Sequence, residues 1–315
     1  MHLPAAERRR ALSAGETARL TQALKDEVVA AIPLVGGLDT ASYRLDMRGE
    51  DARMVLHRYQ GWEPERAMAR VKHERALLGA IGPLYRWAPR VVLSDPAGEM
   101  LGEPASVLTY IPGAPAPPPQ DGDRSARDRW IGDFVRPLVE LHRIPLDILP
   151  TDLRADDPDG GLASLEREAH GDDLSRSLLK ELHRRLPLLP SRRVLLHHDY
   201  WFGNTIWSDG SLTGVIDWIS ARIGDPQKDL ALARSDVAVT LDPRAADEVS
   251  DRYRHLGGET GSFVYWDLLF GLMAYRWVED WHRGWVELGA AISLETARER
   301  AIAFAENALR AAVTS

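Results

Sequence analysis

The stretch that decides the fold is His197-His198-Asp199-Tyr200-Trp201-Phe202-Gly203-Asn204, followed by Gly214-Val215-Ile216-Asp217-Trp218. Val194-Leu195-Leu196 reads as a short buried strand leading into it. Ile206-Trp207, a Ser208-Asp209-Gly210-Ser211 turn and residues 212–218 read as a hairpin that returns Asp217 to the loop. Two carboxylates and an amide oxygen, from Asp199, Asp217 and Asn204, then converge. Hard oxygen ligands of this kind suit Mg²⁺, which keeps several waters and takes one or two protein carboxylates beside substrate phosphates. One carboxylate is left to act as a base.

H-x-D-x-x-x-x-N from His197 to Asn204, the hairpin, Ile216-Asp217-Trp218, and Gly224-Asp225-Pro226 running to Asp229-Leu230-Ala231 together resemble the aminoglycoside phosphotransferase family, kinase-like small-molecule phosphotransferases. Protein kinases carry the matching catalytic loop and metal-binding Asp. The resemblance implies Asp199 as catalytic base, with Asn204 and Asp217 on Mg²⁺. It implies an α+β, bilobal, protein-kinase-like fold. A small sheet-and-helix lobe (1–112) would bind ATP or another nucleoside triphosphate, and a larger, mostly helical lobe (113–315) would carry the base and the acceptor site. The reaction implied is transfer of the γ-phosphoryl group to a hydroxyl of a small molecule.

Upstream, charged and apolar residues alternate at helical spacing over 16–32, with Leu20, Leu24, Val28 and Ala31 on one side and Pro33 as the stop. Gly36-Gly37-Leu38-Asp39-Thr40-Ala41-Ser42 suits either a plain hairpin turn or a loop whose amides approach phosphates. Arg53-Met54-Val55-Leu56-His57-Arg58-Tyr59 is a strand. By resemblance it carries a cation for the α- and β-phosphates, and here that cation is His57 or Arg58. Neighbours on a strand face opposite sides, so only one can serve; register favours His57 and permanent charge favours Arg58. Residues 64–81 form a helix whose Glu74, by resemblance, pairs with the strand cation; a surface Glu in a charge ladder is the plain reading. Strands follow at 89–93 and 106–111. By resemblance the second ends in the hinge where main-chain groups bind adenine, which nominates Thr109, Tyr110 and Ile111.

Residues 114–123, rich in proline, read as a connector. His142 reads as a satisfied core histidine at the end of a helix over 130–143. Residues 162–186 are largely helical. Asp225 is a helix cap with Pro226 at the first helical position, and Asp229 would brace the catalytic loop. Helices follow over 243–256, 264–283 and 294–313. The helix over 264–283, with Trp266, Tyr275, Trp277, Trp281, Asp267, Glu279 and Asp280, is a core stripe or the wall of an acceptor pocket.

The 315 residues are 44% hydrophobic and 27% charged, ordinary for a globular protein of two lobes. There is no cysteine, which removes disulfides, thiolate metal sites and Cys nucleophiles and fits a cytoplasmic protein. No apolar run approaches the ~18 residues of a membrane span, and no apolar stretch follows Arg8-Arg9-Arg10, so neither a membrane nor a signal peptide is expected. The net charge of −8 argues against a nucleic-acid partner. It is uneven: +1 over residues 1–113, −4 over 114–224 and −5 over 225–287. The acidic part fits either a solvated surface or a cationic acceptor such as an aminoglycoside-like antibiotic or an amino alcohol. Two rival functions stand beside the kinase. One is a metal-dependent phosphohydrolase with His197, His198, Asp199 and Asp217 as ligands. The other is a non-catalytic nucleotide-binding module, suggested by the missing strand lysine.

Overall fold

A computed structural model describes residues 10–34, 40–49, 52–120, 122–167, 171–189, 192–259 and 261–314. Gly36 and Gly37 lie outside the described residues. The chain forms two compact units: residues up to Pro112 together with Ile148–Thr151, and Gly113–Asp147 together with Asp152–Ser315.

The first unit opens with helix α1 (Ala14–Leu24), started by a capping box between Ser13 and Glu16 and ended by Lys25 in the left-handed region. Strand β1 (Val28–Pro33) follows, where the helical spacing predicts one helix through Ile32. The spacing misleads because Val28 is buried and the strand has a partner: Ala30 to Pro33 pair with residues 43–46 of β2 (Ala41–Met47). Pairing and β-branched Val and Ile outweigh an intermittent apolar repeat. With β3 (Arg53–Arg58), β4 (Val91–Asp95) and β5 (Ala105–Thr109) the strands make an antiparallel sheet in the order β1-β2-β3-β5-β4. In β2 burial alternates, with Ala41, Tyr43, Leu45 and Met47 in a core that also takes Leu20, Leu56 and Val107. Helix α2 (Pro64–Ile81) starts on a proline at its first turn and buries Ala67, Val71, Glu74, Leu77, Leu78 and Ile81.

The second unit is mostly helical: α3 (Arg124–Leu141), α4 (Pro158–Arg167), α5 (Asp173–Arg185), α6 (Pro226–Thr240), α7 (Ala245–His255), α8 (Val264–Glu287) and α9 (Leu294–Thr314). Leu162, Leu165, Leu178 and Leu182 close on Trp266, Leu268, Leu272, Ala305 and Ala308 to form its core. Two short antiparallel ladders interrupt the helices. Strand β6 (Val194–Leu196) pairs with β9 (Arg222–Gly224), and β7 (Thr205–Ser208) with β8 (Ser211–Val215). The β7–β8 turn places Asp209 at φ 50° and Gly210 at φ 75°. Both central residues are left-handed, as a two-residue hairpin with Asp-Gly demands. Among the described residues no helix is long and apolar enough to cross a membrane.

Candidate active site

Strand β6 delivers the loop from His197 to Asn204, and β7–β8 returns the chain to Asp217. The two ends are tied by main chain: the Ile216 amide donates to the Asn204 carbonyl at 2.9 Å. His197 adds a second tie. Its ring is fully buried between Tyr200 and Trp218, and Nε2–H donates to the Ile216 carbonyl at 2.9 Å. Burial lowers the affinity of this imidazole for a second proton. His197 is therefore a neutral strut beside Asp217.

Asp199 is half-buried. The Asn204 Nδ2 donates to both the Asp199 carboxylate and the Asp199 main-chain carbonyl, each at 2.8 Å. With Nδ2 so committed, the acceptor atom Oδ1 of Asn204 is aimed elsewhere. Asp217 lies in the left-handed region, φ 64° and ψ 63°, ahead of a short 3₁₀ turn that its side chain does not cap. A non-glycine residue held there is uncommon, and such strain gathers at functional sites. Asn204 Oδ1 and the Asp217 carboxylate are oxygen donors on adjacent, tied segments. They fit Mg²⁺, which asks for few protein ligands.

Asp229, in the first turn of α6, clamps the start of this loop. Its carboxylate accepts the amides of His197 and His198, both at 2.7 Å, and lies 3.4 Å from His142 Nε2. Burial pushes its carboxyl up. The His142 hydrogen bond and the surrounding imidazoles outweigh that, so its pKa ends below the ordinary value. His142 is buried and satisfied, with Nδ1 2.7 Å from the Tyr253 hydroxyl. Asp225 caps α6 by accepting the Gln227 amide and also takes the Trp266 indole N–H. His198 has φ 69°; its ring turns to Asp156, 2.9 Å away, and Lys228, 2.8 Å away. At Gly203 a Cβ would sit 2.3 Å from the outer edge of the Trp201 ring, so a larger residue would need that ring to move.

Sequence reasoning missed Asp236. It lies on α6 seven residues after Asp229, or two helical turns. Its carboxylate accepts the Phe202 amide at 3.2 Å and the Trp285 indole N–H at 3.0 Å. Burial, helped by the charge of Asp199, pushes this carboxyl up to about 7. The spacing from Asp229 was the available signal.

The first unit separates the two cation candidates. His57 and Ser42 are paired across β2–β3, and His57 and Ser106 across β3–β5, so the three share one face. On that face His57 Nδ1 lies 3.3 Å from the buried Glu74. Burial pushes the Glu74 carboxyl up, but His57 and Ser106 more than reverse it and its pKa is lowered. Arg58 faces the opposite side, fully buried, with its guanidinium on Glu16 at 2.9 Å and on Glu103. The expectation that Arg58 might meet phosphate is thereby corrected: strand alternation turns it into the core with Tyr43 and Leu56. Thr109 spends its amide on the Arg90 carbonyl and its hydroxyl oxygen on the Arg90 amide. Tyr110 and Ile111 are half-buried beyond the end of β5.

The ligand set of the hydrolase reading is not assembled. Among the described residues no three His, Asp or Glu side chains are grouped to hold a metal. His197 Nε2 donates to the Ile216 carbonyl, and His198 Nε2 turns to Asp156 and Lys228.

The phosphotransferase enzyme family matches residues 30–265, and the chain belongs to that family. No curated protein matches in sequence. Solved structures match the fold at low identity. A Ralstonia eutropha JMP134 protein assigned as an aminoglycoside phosphotransferase has a TM-score of 0.68 and 14% identity, covering 97% of this chain and 99% of that one. The macrolide 2′-phosphotransferase of Brachybacterium faecium has a TM-score of 0.64 and 18% identity over 90% of this chain and 96% of its own. The ternary complex of APH(2″)-IIa with streptomycin and ATP has a TM-score of 0.59 and 19% identity over 84% and 91%. The protein is thus a phosphotransferase-family member with an α+β, kinase-like fold.

Proposed function

We propose that this protein is a small-molecule kinase that moves the γ-phosphoryl group of ATP to a hydroxyl of its acceptor. The observation that carries the reading is the Asp199–Asn204–Asp217 arrangement. A half-buried carboxylate is oriented by an amide whose oxygen points away, beside a strained Asp on a segment tied to it. Asp199 is the base: it orients the acceptor hydroxyl and takes its proton as the oxygen bonds to phosphorus and the bond to ADP breaks. Asn204 and Asp217 would hold Mg²⁺, which neutralises phosphate charge when bound. The reading is supported by family membership and by the ATP named in the APH(2″)-IIa complex.

In the first unit, His57 braced by Glu74 is assigned to the nucleotide phosphates, with Ser42 on the same face. The loop glycines Gly36 and Gly37 would add amides, and Thr109 to Ile111 the adenine contacts. The acidic balance of residues 114–287 is compatible with a cationic acceptor, an aminoglycoside-like antibiotic or an amino alcohol. Incubation with Mg·ATP and a panel of hydroxylated small molecules tests it, reading ADP release and the mass of one added phosphoryl group. Transfer that persists in Asp199→Asn, or ATP-independent phosphoester hydrolysis, would overturn it.

A further inference from the structure

Helix α6 touches the catalytic loop at two points. Asp229 takes the amides of His197 and His198, before Asp199. Asp236, two turns along, takes the amide of Phe202, after it. Asp199 is the residue suspended between the two grips. The second grip is unusual in its chemistry. Asp236 is only 4% exposed, and both of its hydrogen-bond donors, the Phe202 amide and the Trp285 indole, are neutral. Trp285 is buried in α8, and its indole fixes Oδ1 of the carboxylate while the Phe202 amide takes Oδ2. A buried carboxylate costs free energy unless something uses it. An amide or a hydroxyl here could serve packing at less cost.

We propose that Asp236 is a positioning residue for Asp199: it pins the far side of the loop that presents the base, and Trp285 holds it in the required orientation. The inference rests on the kinase reading for its catalytic consequence, though not for its structural one. The placement of a base matters steeply, because a displacement of about 1 Å can cost roughly a hundredfold in rate.

Asp236→Asn and Trp285→Phe test it. Asn can accept only one of the two N–H groups and turns its own N–H₂ toward the other; Phe removes the indole donor and keeps an aromatic ring. Turnover is read with Mg·ATP alone, water serving as acceptor, and Mg·ATP affinity is read by calorimetry. The amide resonances of residues 198–204 are followed by NMR. The expected result is a kcat reduced roughly tenfold to a hundredfold in Asp236→Asn and less in Trp285→Phe. Mg·ATP affinity should hold, and the loop resonances should move in both variants. A carboxylate that merely joined α6 to α8 would lower Tm while leaving kcat and those resonances in place, and that outcome overturns the proposal. If the wild type shows no turnover with water or any acceptor, the kinase reading fails by itself. Unmoved loop resonances in both variants would still refute positioning, and moved ones would sustain it.

Discussion

Two short regions carry the candidate chemistry, and they are built differently. The loop from His197 to Asn204 is held from several elements at once. Asp229, Asp236, the His197 ring and the Ile216 amide all act on it. Strand β3 places His57 on one face, 3.3 Å from the buried Glu74 carboxylate. Its neighbour Arg58 is consumed by Glu16 and Glu103 on the other face. The loop is thus fixed from several elements, whereas the strand offers a side chain whose charge depends on pH. Four experiments would break or sharpen that contrast.

The largest effect is expected at Asp199. Asp199→Asn keeps the hydrogen bond to Asn204 but cannot accept the acceptor's proton at neutral pH. A kcat lower by roughly 10²–10⁴-fold is expected, with Mg·ATP affinity nearly unchanged. Single-turnover transfer and calorimetry on the same preparation measure both. A loss of metal affinity in place of rate would make Asp199 a ligand and erase the division of labour between it and Asn204–Asp217.

Arg58→Met comes next. It takes the buried guanidinium away from Glu16 and Glu103. Removing one partner of a buried ion pair costs about 3–5 kcal/mol. Denaturant unfolding should show a loss no larger than that, because Glu16 keeps Arg10 and Glu103 keeps Gln60, and the folded variant should bind Mg·ATP as before. Weakened nucleotide binding at unchanged stability would return Arg58 to the phosphates and leave His57 as a bystander.

These two residues also show what was legible. The H-x-D-x-x-x-x-N spacing, the Asp-Gly turn and the Asp225-Pro226 helix start are local patterns with local causes, so the catalytic loop and its hairpin could be read directly. Arg58 could not, because alternation says that His57 and Arg58 face apart but not which face is the core. That depended on Glu16 and Glu103, respectively 42 and 45 residues away in the chain. β1 was hidden for a similar reason, since residues 28–32 pack equally well on paper as a last helical turn, and only the pairing with β2 decides. Asp236 was hidden because its donors, the Phe202 amide and the Trp285 indole, come from loop and helix far apart in sequence. The left-handed backbone of His198 was not legible either.

Asp236 makes the third prediction. Its folded pKa, about 7, lies above the ordinary carboxylate value of 3.8. Below the ordinary value both folded and unfolded chains hold the proton. Between the two values only the folded chain holds it, so stability falls as pH rises toward 7 and then levels off. The ceiling on that loss is about 4 kcal/mol. Asp236→Asn has no such term. Its Tm measured against wild type should therefore improve between pH 4 and pH 8, whatever the offset at pH 4. A constant difference across that range would show that burial does not raise this carboxyl, and Asp236 would drop out of the contrast as a buried grip on the loop.

The smallest effect belongs to His57. A phosphate contact from a strand side chain contributes on the order of 0.5–1.5 kcal/mol when neutral and 1.5–3 kcal/mol when charged. His57→Gln can still donate to Glu74 but can never carry charge. KM for ATP should rise by roughly two- to tenfold with kcat largely kept, and His57→Lys should lower KM by supplying a permanent cation. The same variant has a signature in stability. Glu74 has a depressed folded pKa, so its stabilising contribution is present above the ordinary carboxylate range and disappears as pH falls through the folded value. With Gln at position 57 the depression is smaller, so the acid-side loss should be smaller and should be complete at a higher pH. Tm profiles from pH 3 to 6 for both proteins read the size of that loss. If the loss shrinks while KM for ATP stays fixed in both variants, His57 is a brace for Glu74 alone. The phosphates must then be met by main chain, and the two regions would differ in kind as well as in rigidity.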